Sequence, residues 1–363
     1  MRRYEIDWIR NISILMLFIY HTSAIFCQFG DFYIISEQKN IIADFFILVL
    51  FVWYMPMLFF LAGASTYFSS QRRDLKQYLT ERTKKLLVPL LFGLVVIVPP
   101  QTYMARIWRG ESNISYLEHL KFFFTNLTDF TGFDGAFTPA HLWFILYLFI
   151  VSILAGLLIF KILKSHRGSG FVSKVQNILN SRYNFIYLLV LGVFTDLFPS
   201  IMGKSIIGCF AIFTLGYIVY QKEELLNNLS NNRFKYLTSF FLFAITGIVY
   251  VLNFRPENMN AIAWILDAVL KNGVLISAIC MVVGFSSIHL NKSNGVLKYL
   301  NKCAFPVYII HQPVLLAIAL FIIPIVKSTT IAMLIIIALS VILTFAIYTL
   351  LIRVKLFKYL LCG

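Results

Sequence analysis

The sequence predicts an all-α, polytopic membrane bundle of about ten transmembrane helices, with both termini in the cytoplasm. Hydrophobic residues make up 60% of the 363 and charged residues only 13%, against roughly 45–50% and about 25% in ordinary soluble domains. Aromatics reach 17%, with 36 Phe, and the mean hydropathy is +0.81. So much apolar surface has to face lipid, or other helices within lipid. Apolar stretches long enough to span, and an alternation of basic residues between them, supply the remaining support.

Taken in order, apolar runs of at least about 17 residues fall near 8–28, 42–68, 86–104, 142–163, 183–199, 205–220, 236–253, 262–287, 303–324 and 331–352. The fifth and sixth are short, separated only by Pro199 to Lys204. Cytoplasmic loops hold an excess of Lys and Arg. With the N-terminus inside, 22 of the 31 basic residues fall on the cytoplasmic side, beginning with Arg2 and Arg3. Seven fall outside (Lys39, Arg106, Arg109, Lys121, Lys204, Arg255 and Lys327), and Arg10 and Lys271 lie within spans. An error of one span would scramble this alternation.

Arg2 and Arg3 before an apolar stretch, with Thr22-Ser23-Ala24 beyond it, resemble a secretory signal. The run nevertheless continues through Ile25, Phe26 and Cys27, and Asp7 and Arg10 interrupt its start, so it is expected to remain as the first span. One transmembrane domain over 1–363 is expected, without repeats or a separate soluble domain. The 36-residue outward loop 105–140 is expected to fold over the external face. Five cysteines without a C-x-x-C spacing argue against zinc or a redox dithiol, and no metal is expected. The net charge of +15 follows from the orientation of basic loops, so it does not imply nucleic acid.

An arginine inside a span costs about 2.5–3.5 kcal/mol on insertion scales, so such groups mark cavities and function. Arg10 and His21 are 11 residues apart, a rotation of some 20° beyond three full turns, which puts both on one helix face. Asp7 sits three residues before Arg10 on the same side. A salt bridge at the cytoplasmic end together with a packing histidine would explain the same pattern. Asp267 and Lys271, four apart in the eighth span, read as a structural pair.

Asp7-Trp8-Ile9-Arg10 followed by His21 resembles the Arg-x10-His signature of membrane-bound acyltransferase family 3. Phe59-Phe60-Leu61-Ala62-Gly63 resembles its second-span motif, with Ala62 where Ser is usual. The run from Arg82 to Pro89 resembles its basic stretch, with Lys85 in place of a second Arg. His141-Leu142-Trp143-Phe144 and Tyr308-Ile309-Ile310-His311 resemble two later motifs. The likeness covers essentially the whole chain, and Met55-Pro56, the HLWF run and the short length are most similar to the branch that acylates envelope glucans.

The resemblance implies transfer of an acyl group, acetyl or succinyl, from cytoplasmic acyl-CoA to a hydroxyl of an extracytoplasmic carbohydrate, in the cytoplasmic membrane. His21 is then expected as general base or covalent acyl carrier. Arg10, oriented by Asp7, is expected at the donor together with Arg82 and Lys85. At 1.5 Å per residue His21 lies about 16.5 Å beyond Arg10, comparable to the arm of a coenzyme A thioester. His141, Trp143, Tyr308 and His311 are candidates for contact with the acceptor, although His311 also reads as a packing residue whose partner is a carbonyl freed by Pro313. A secondary transporter or flippase for an envelope precursor or small anion would also use intramembrane Arg, Asp and His, but it predicts repeats and matching broken helices. Acyl identity, acceptor and oligomeric state are not encoded in any motif.

Overall fold

The computed structural model describes residues 3–111, 113–256 and 258–362; Arg2 lies outside them. Among the described residues the regular structure is helical. The helices are α1 Tyr4–Phe26, α2 Ile41–Ser70 with a turn at 51–53, α3 Leu75–Trp108, α4 Tyr116–Thr125, α5 Ala140–Leu163, α6 His166–Asn180 and α7 Asn184–Asp196. They continue with α8 Ile206–Val219, α9 Glu223–Asn231, α10 Arg233–Asn253, α11 Ala261–His289, α12 Gly295–Ile322, α13 Thr329–Leu351 and α14 Lys355–Cys362.

Each of the ten apolar stretches expected from the sequence is helical. Eight of these helices, among the described residues, are long and apolar enough to cross a membrane; α6 and α7, bent by 115° to one another, count as a ninth if they form one broken span. The remaining short helix, α8, has 14 residues, about 21 Å against a hydrocarbon core of roughly 30 Å. The largest departures from the expected boundaries are at two helix starts: α3 begins at Leu75 rather than 86, and α12 at Gly295 rather than 303. Both extensions carry polar residues in helical register, which a search for apolar runs does not register.

α3 is distorted twice, by π-helical turns at Thr83–Leu87 and Gly93–Ile97. Each precedes a proline, at Pro89 and at Pro99-Pro100. A proline has no N–H to return to the preceding turn, and the ladder widens there.

The chain divides into two compact units. One is built from residues up to 10, 51–80 and 150–294. Its tightest packing is between α2 and α8. A Cβ on Gly63 would lie 1.8 Å from the Phe213 carbonyl oxygen, and one on Gly216 would lie 2.0 Å from that of Phe60. The glycine of the Phe59–Gly63 motif is therefore required for backbone approach, as at other small-residue helix contacts in membranes. In this unit Lys271 pairs with Asp196 at 2.7 Å and Asp267 with Arg255 at 3.2 Å. The Asp267–Lys271 pair expected from spacing is corrected accordingly: each side chain finds a partner brought in by tertiary structure rather than the one on its own helix.

The second unit comprises residues 11–50, 81–149 and 295 to the C-terminus. Ile25, Phe26, Leu315, Leu316, Met333 and Ile336 form part of its buried core. The 27–40 connector is tied down closely. Ser36 N–H donates to Ile25 O and Asn40 N–H to Phe26 O, both at 2.9 Å. The Asp44 carboxylate accepts from the Gln28 backbone and amide at 2.7 and 2.9 Å, and Trp108 Nε1 donates to Ile35 O at 3.0 Å. In the 105–140 segment, α4 opens with a reciprocal Ser115–Glu118 capping box. Buried His119 bonds through Nε2 to Pro99 O and Thr102 Oγ1, each at 3.0 Å, and fastens α4 to α3.

Candidate active site

α1 runs unbroken from Tyr4 to Phe26, so Asp7, Arg10 and His21 occupy one helix. Arg10 Nη2 donates to Asp7 Oδ1 at 2.7 Å, with the guanidinium side chain 37% exposed and the carboxylate 14%. Asp7 thus holds the Arg10 guanidinium from the same face of the helix. Glu5, one turn earlier, is fully buried, with Arg3 at 3.8 Å. Sequence reading passed over it because the first apolar run was taken to begin at 8, whereas the helix begins at Tyr4 and has Glu5 in its first turn.

Three histidines meet in the second unit. The His21 and His311 ring centroids are 5.2 Å apart, and those of His311 and His141 5.1 Å. Phe18 on α1 packs edge-on against His311 at 5.5 Å, and Tyr308 lies 5.7 and 5.9 Å from His141 and His311. His141 and His311 are buried and His21 partly so. One nitrogen of each is closed off without a partner: Nδ1 of His21, Nδ1 of His141 and Nε2 of His311.

The backbone of α12 sets the tautomers. Pro313 has no N–H for the Ile309 carbonyl four residues earlier, and His141 Nε2 donates to that oxygen at 2.8 Å. His311 Nδ1 donates to Tyr308 O at 2.6 Å. Pro313 does free a carbonyl, as expected, but the partner it gains is His141; His311 bonds to Tyr308 instead. Since both rings spend an N–H on the backbone, each in its neutral form keeps its other nitrogen as a lone-pair acceptor. The Tyr308 hydroxyl donates to the His141 carbonyl, which closes the link between the start of α5 and the middle of α12.

The remaining candidates are placed as follows. Trp143 packs edge-on against Phe144 and Tyr147 of its own helix, at 6.3 and 5.5 Å. Arg82 precedes the first π turn of α3 and is half-buried, and Lys85, within that turn, pairs with Glu81 at 2.6 Å. Sequence reading missed Phe32, whose ring stacks on His21 at 5.6 Å and 14°, and Tyr20, which meets it edge-on at 5.3 Å. Phe32 lies in a connector without periodicity, so no pattern pointed to it. Among the described residues no group of His, Cys, Asp or Glu is arranged to hold a metal ion.

An apolar helical bundle that brings together histidines from its first, fourth and ninth apolar stretches is an integral membrane protein with an intramembrane ionisable cluster, the kind of group that marks a functional site. Residues 3–349 match the acyltransferase domain of membrane-bound acyltransferase family 3, and the chain belongs to that family. It is an acyltransferase. Among its relatives are proteins named glucans biosynthesis protein C. That of Escherichia coli strain SMS-3-5 / SECEC is 20% identical over 381 residues, covering 100% of this chain and 94% of the relative. That of Escherichia coli O1:K1 / APEC is 20% identical over 377 residues with the same coverage. No solved structure matches.

Proposed function

We propose that this acyltransferase moves an acetyl or succinyl group from cytoplasmic acyl-CoA to a hydroxyl of a carbohydrate on the opposite face of the cytoplasmic membrane, its two termini lying on the donor side. The observation that carries the proposal is the meeting of His21 with His311 and His141, on the same helix as a carboxylate-oriented arginine. The basic-residue alternation supports the orientation, and the name of the relatives supports a glucan as acceptor.

In the direct route, the acceptor oxygen attacks the thioester carbonyl carbon while His21 takes the hydroxyl proton. The C–S bond then breaks, and the coenzyme A thiolate receives that proton from the imidazolium. In the covalent route His21 attacks first, releases the thiol and holds the acyl group on nitrogen until the hydroxyl displaces it. In both routes the lone pairs of His141 and His311 supply acceptors that favour N–H character on a neighbouring group. Arg10 offers a planar fork to phosphate, with Arg82 and Lys85 as further donor-side cations. His141, Tyr308 and His311 frame the acceptor end, with Trp143 beside them in the HLWF run.

Mass spectrometry of envelope polysaccharides from cells with and without the protein tests this reading. The expected result is loss of one acyl mass increment from a glucan. Unchanged polysaccharide masses, in cells that grow and express the protein normally, would overturn it.

A further inference from the structure

In the second unit, where α1 and α3 end and α12 passes into α13, lies a cavity of about 610 Å³, within the range of small-ligand sites. Phe32 lines it and also stacks on His21, so one aromatic ring separates the cavity from the imidazole. Trp108 and Tyr33 add aromatic walls; both are fixed by hydrogen bonds, Trp108 to Ile35 O and Tyr33 to Thr131 O at 3.0 Å. Arg109, Lys327 and Glu37 are exposed on its lining. The Arg109 guanidinium donates to the Phe133 carbonyl, and among the described residues neither cation has a carboxylate partner.

We propose that this cavity is the acceptor subsite and that it takes a carbohydrate bearing an acidic substituent, a carboxylate or a phosphate, with Phe32 as the partition between sugar and His21. The inference rests on the acyl-transfer reading above. Rigid aromatic faces suit the apolar faces of sugar rings, and a carboxylate such as Glu37 accepts from sugar hydroxyls. Two cations against one carboxylate leave a positive surplus that a neutral saccharide does not need. An anionic lipid headgroup would also answer that surplus, but it would gain nothing from Glu37 or from the aromatic walls.

Binding is measured without donor on the His21→Ala protein in zwitterionic nanodiscs, so the result is independent of whether transfer occurs. The probes are a linear gluco-oligosaccharide and the same oligosaccharide carrying a carboxymethyl group. The acidic probe should bind about tenfold or more tightly at low salt, in line with a charge-assisted contact. Arg109→Gln combined with Lys327→Gln should bring it to the affinity of the neutral probe without changing the latter. Equal affinities in the parent, or an unaltered preference in the double variant, overturn the proposal. Repeating the titration with phosphatidylglycerol in the disc separates the lipid source: if that lipid competes through the same two cations, the headgroup is the occupant and the proposal fails. For the partition, carbethoxylation of His21 in the otherwise native chain, mapped by mass spectrometry, should accelerate with Phe32→Ala and slow when the acidic probe is present. A rate indifferent to both removes Phe32 from that role.

Discussion

His141 donates its Nε2 proton to the carbonyl of Ile309 at 2.8 Å, the acceptor that Pro313 leaves without its helical N–H. One residue of α5 thereby completes the backbone of α12, and the proline and the histidine are parts of one device. His141→Ala should destabilise the protein by about 1–3 kcal/mol, chiefly by leaving a buried carbonyl without a donor. Pro313→Ala restores an N–H at that position, so the penalty of His141→Ala should shrink in its presence. The cavity left by the ring is common to both backgrounds and cancels. Thermal unfolding of the four proteins in one detergent measures the coupling, and strictly additive costs would dismiss the shared role.

His21 has a different expectation. Its Nδ1 is closed off without a partner, so no hydrogen bond at that atom is lost on truncation. His21→Ala should reduce turnover by about 10²–10⁴-fold, as for loss of a general base or nucleophile, with a melting temperature close to that of the parent. Retention of more than about a tenth of the parent turnover by the purified variant would return His21 to a packing role.

These two histidines show where sequence reading succeeds and where it stops. Arg10 and His21 share a helix because 11 residues return the chain to nearly the same face, a local relation that periodicity captures. The ten apolar helices were legible from another local signal, apolar runs of spanning length. The partner of the carbonyl freed by Pro313 was not, because His141 reaches it from 168 positions away. Asp267 and Lys271 failed in the same manner: i,i+4 spacing indicated each other, whereas Arg255 and Asp196 were nearer once loops had folded. Phe32 had no periodicity to report it, since the 27–40 connector is held by hydrogen bonds to neighbouring helices and not by a helical pattern of its own.

His119, outside the spans, supplies a pH prediction. Burial holds its imidazole below the ordinary value of 6.5, against the hydrogen bond to Pro99 O, which acts in the opposite direction. Nε2 already serves Pro99 and Thr102, and Nδ1 is buried without a partner, so a second proton would have no acceptor. As pH falls below about 6.5, the unfolded ring takes up a proton that the folded one refuses. The stabilisation is therefore complete above that value and is lost on acidification toward the lower folded value. Local opening across 113–140, read as amide exchange relative to the intrinsic rate that acid itself lowers, should accelerate as the pH falls from about 7 to about 5, and His119→Gln should flatten that response. An identical acceleration in the variant would assign it to another group.

Arg10 and His21 on one unbroken helix lead to the most demanding expectation, that donor and acceptor enter from opposite faces and that Arg10 serves the donor alone. Arg10 lies near the N-terminal end of α1, and His21 lies five residues before the other end, about 16.5 Å further along. Arg10→Lys keeps the charge and a possible bond to Asp7 but loses the planar fork, so donor affinity should weaken by about 1.5–3 kcal/mol with little change for the acceptor. Orientation is fixed first, with single cysteines at Gln71 and Asn113 in a background lacking the native five. An impermeant maleimide on intact cells should label Asn113 and spare Gln71. In sealed proteoliposomes of that known orientation, acyl-CoA is then supplied on one side and a gluco-oligosaccharide on the other. Acylation should appear only with the donor on the side of Gln71, and the Arg10→Lys defect should be overcome by raising donor and not acceptor. Equal rates from either face would remove the transmembrane route, whereas a defect relieved by acceptor would move Arg10 to the other substrate.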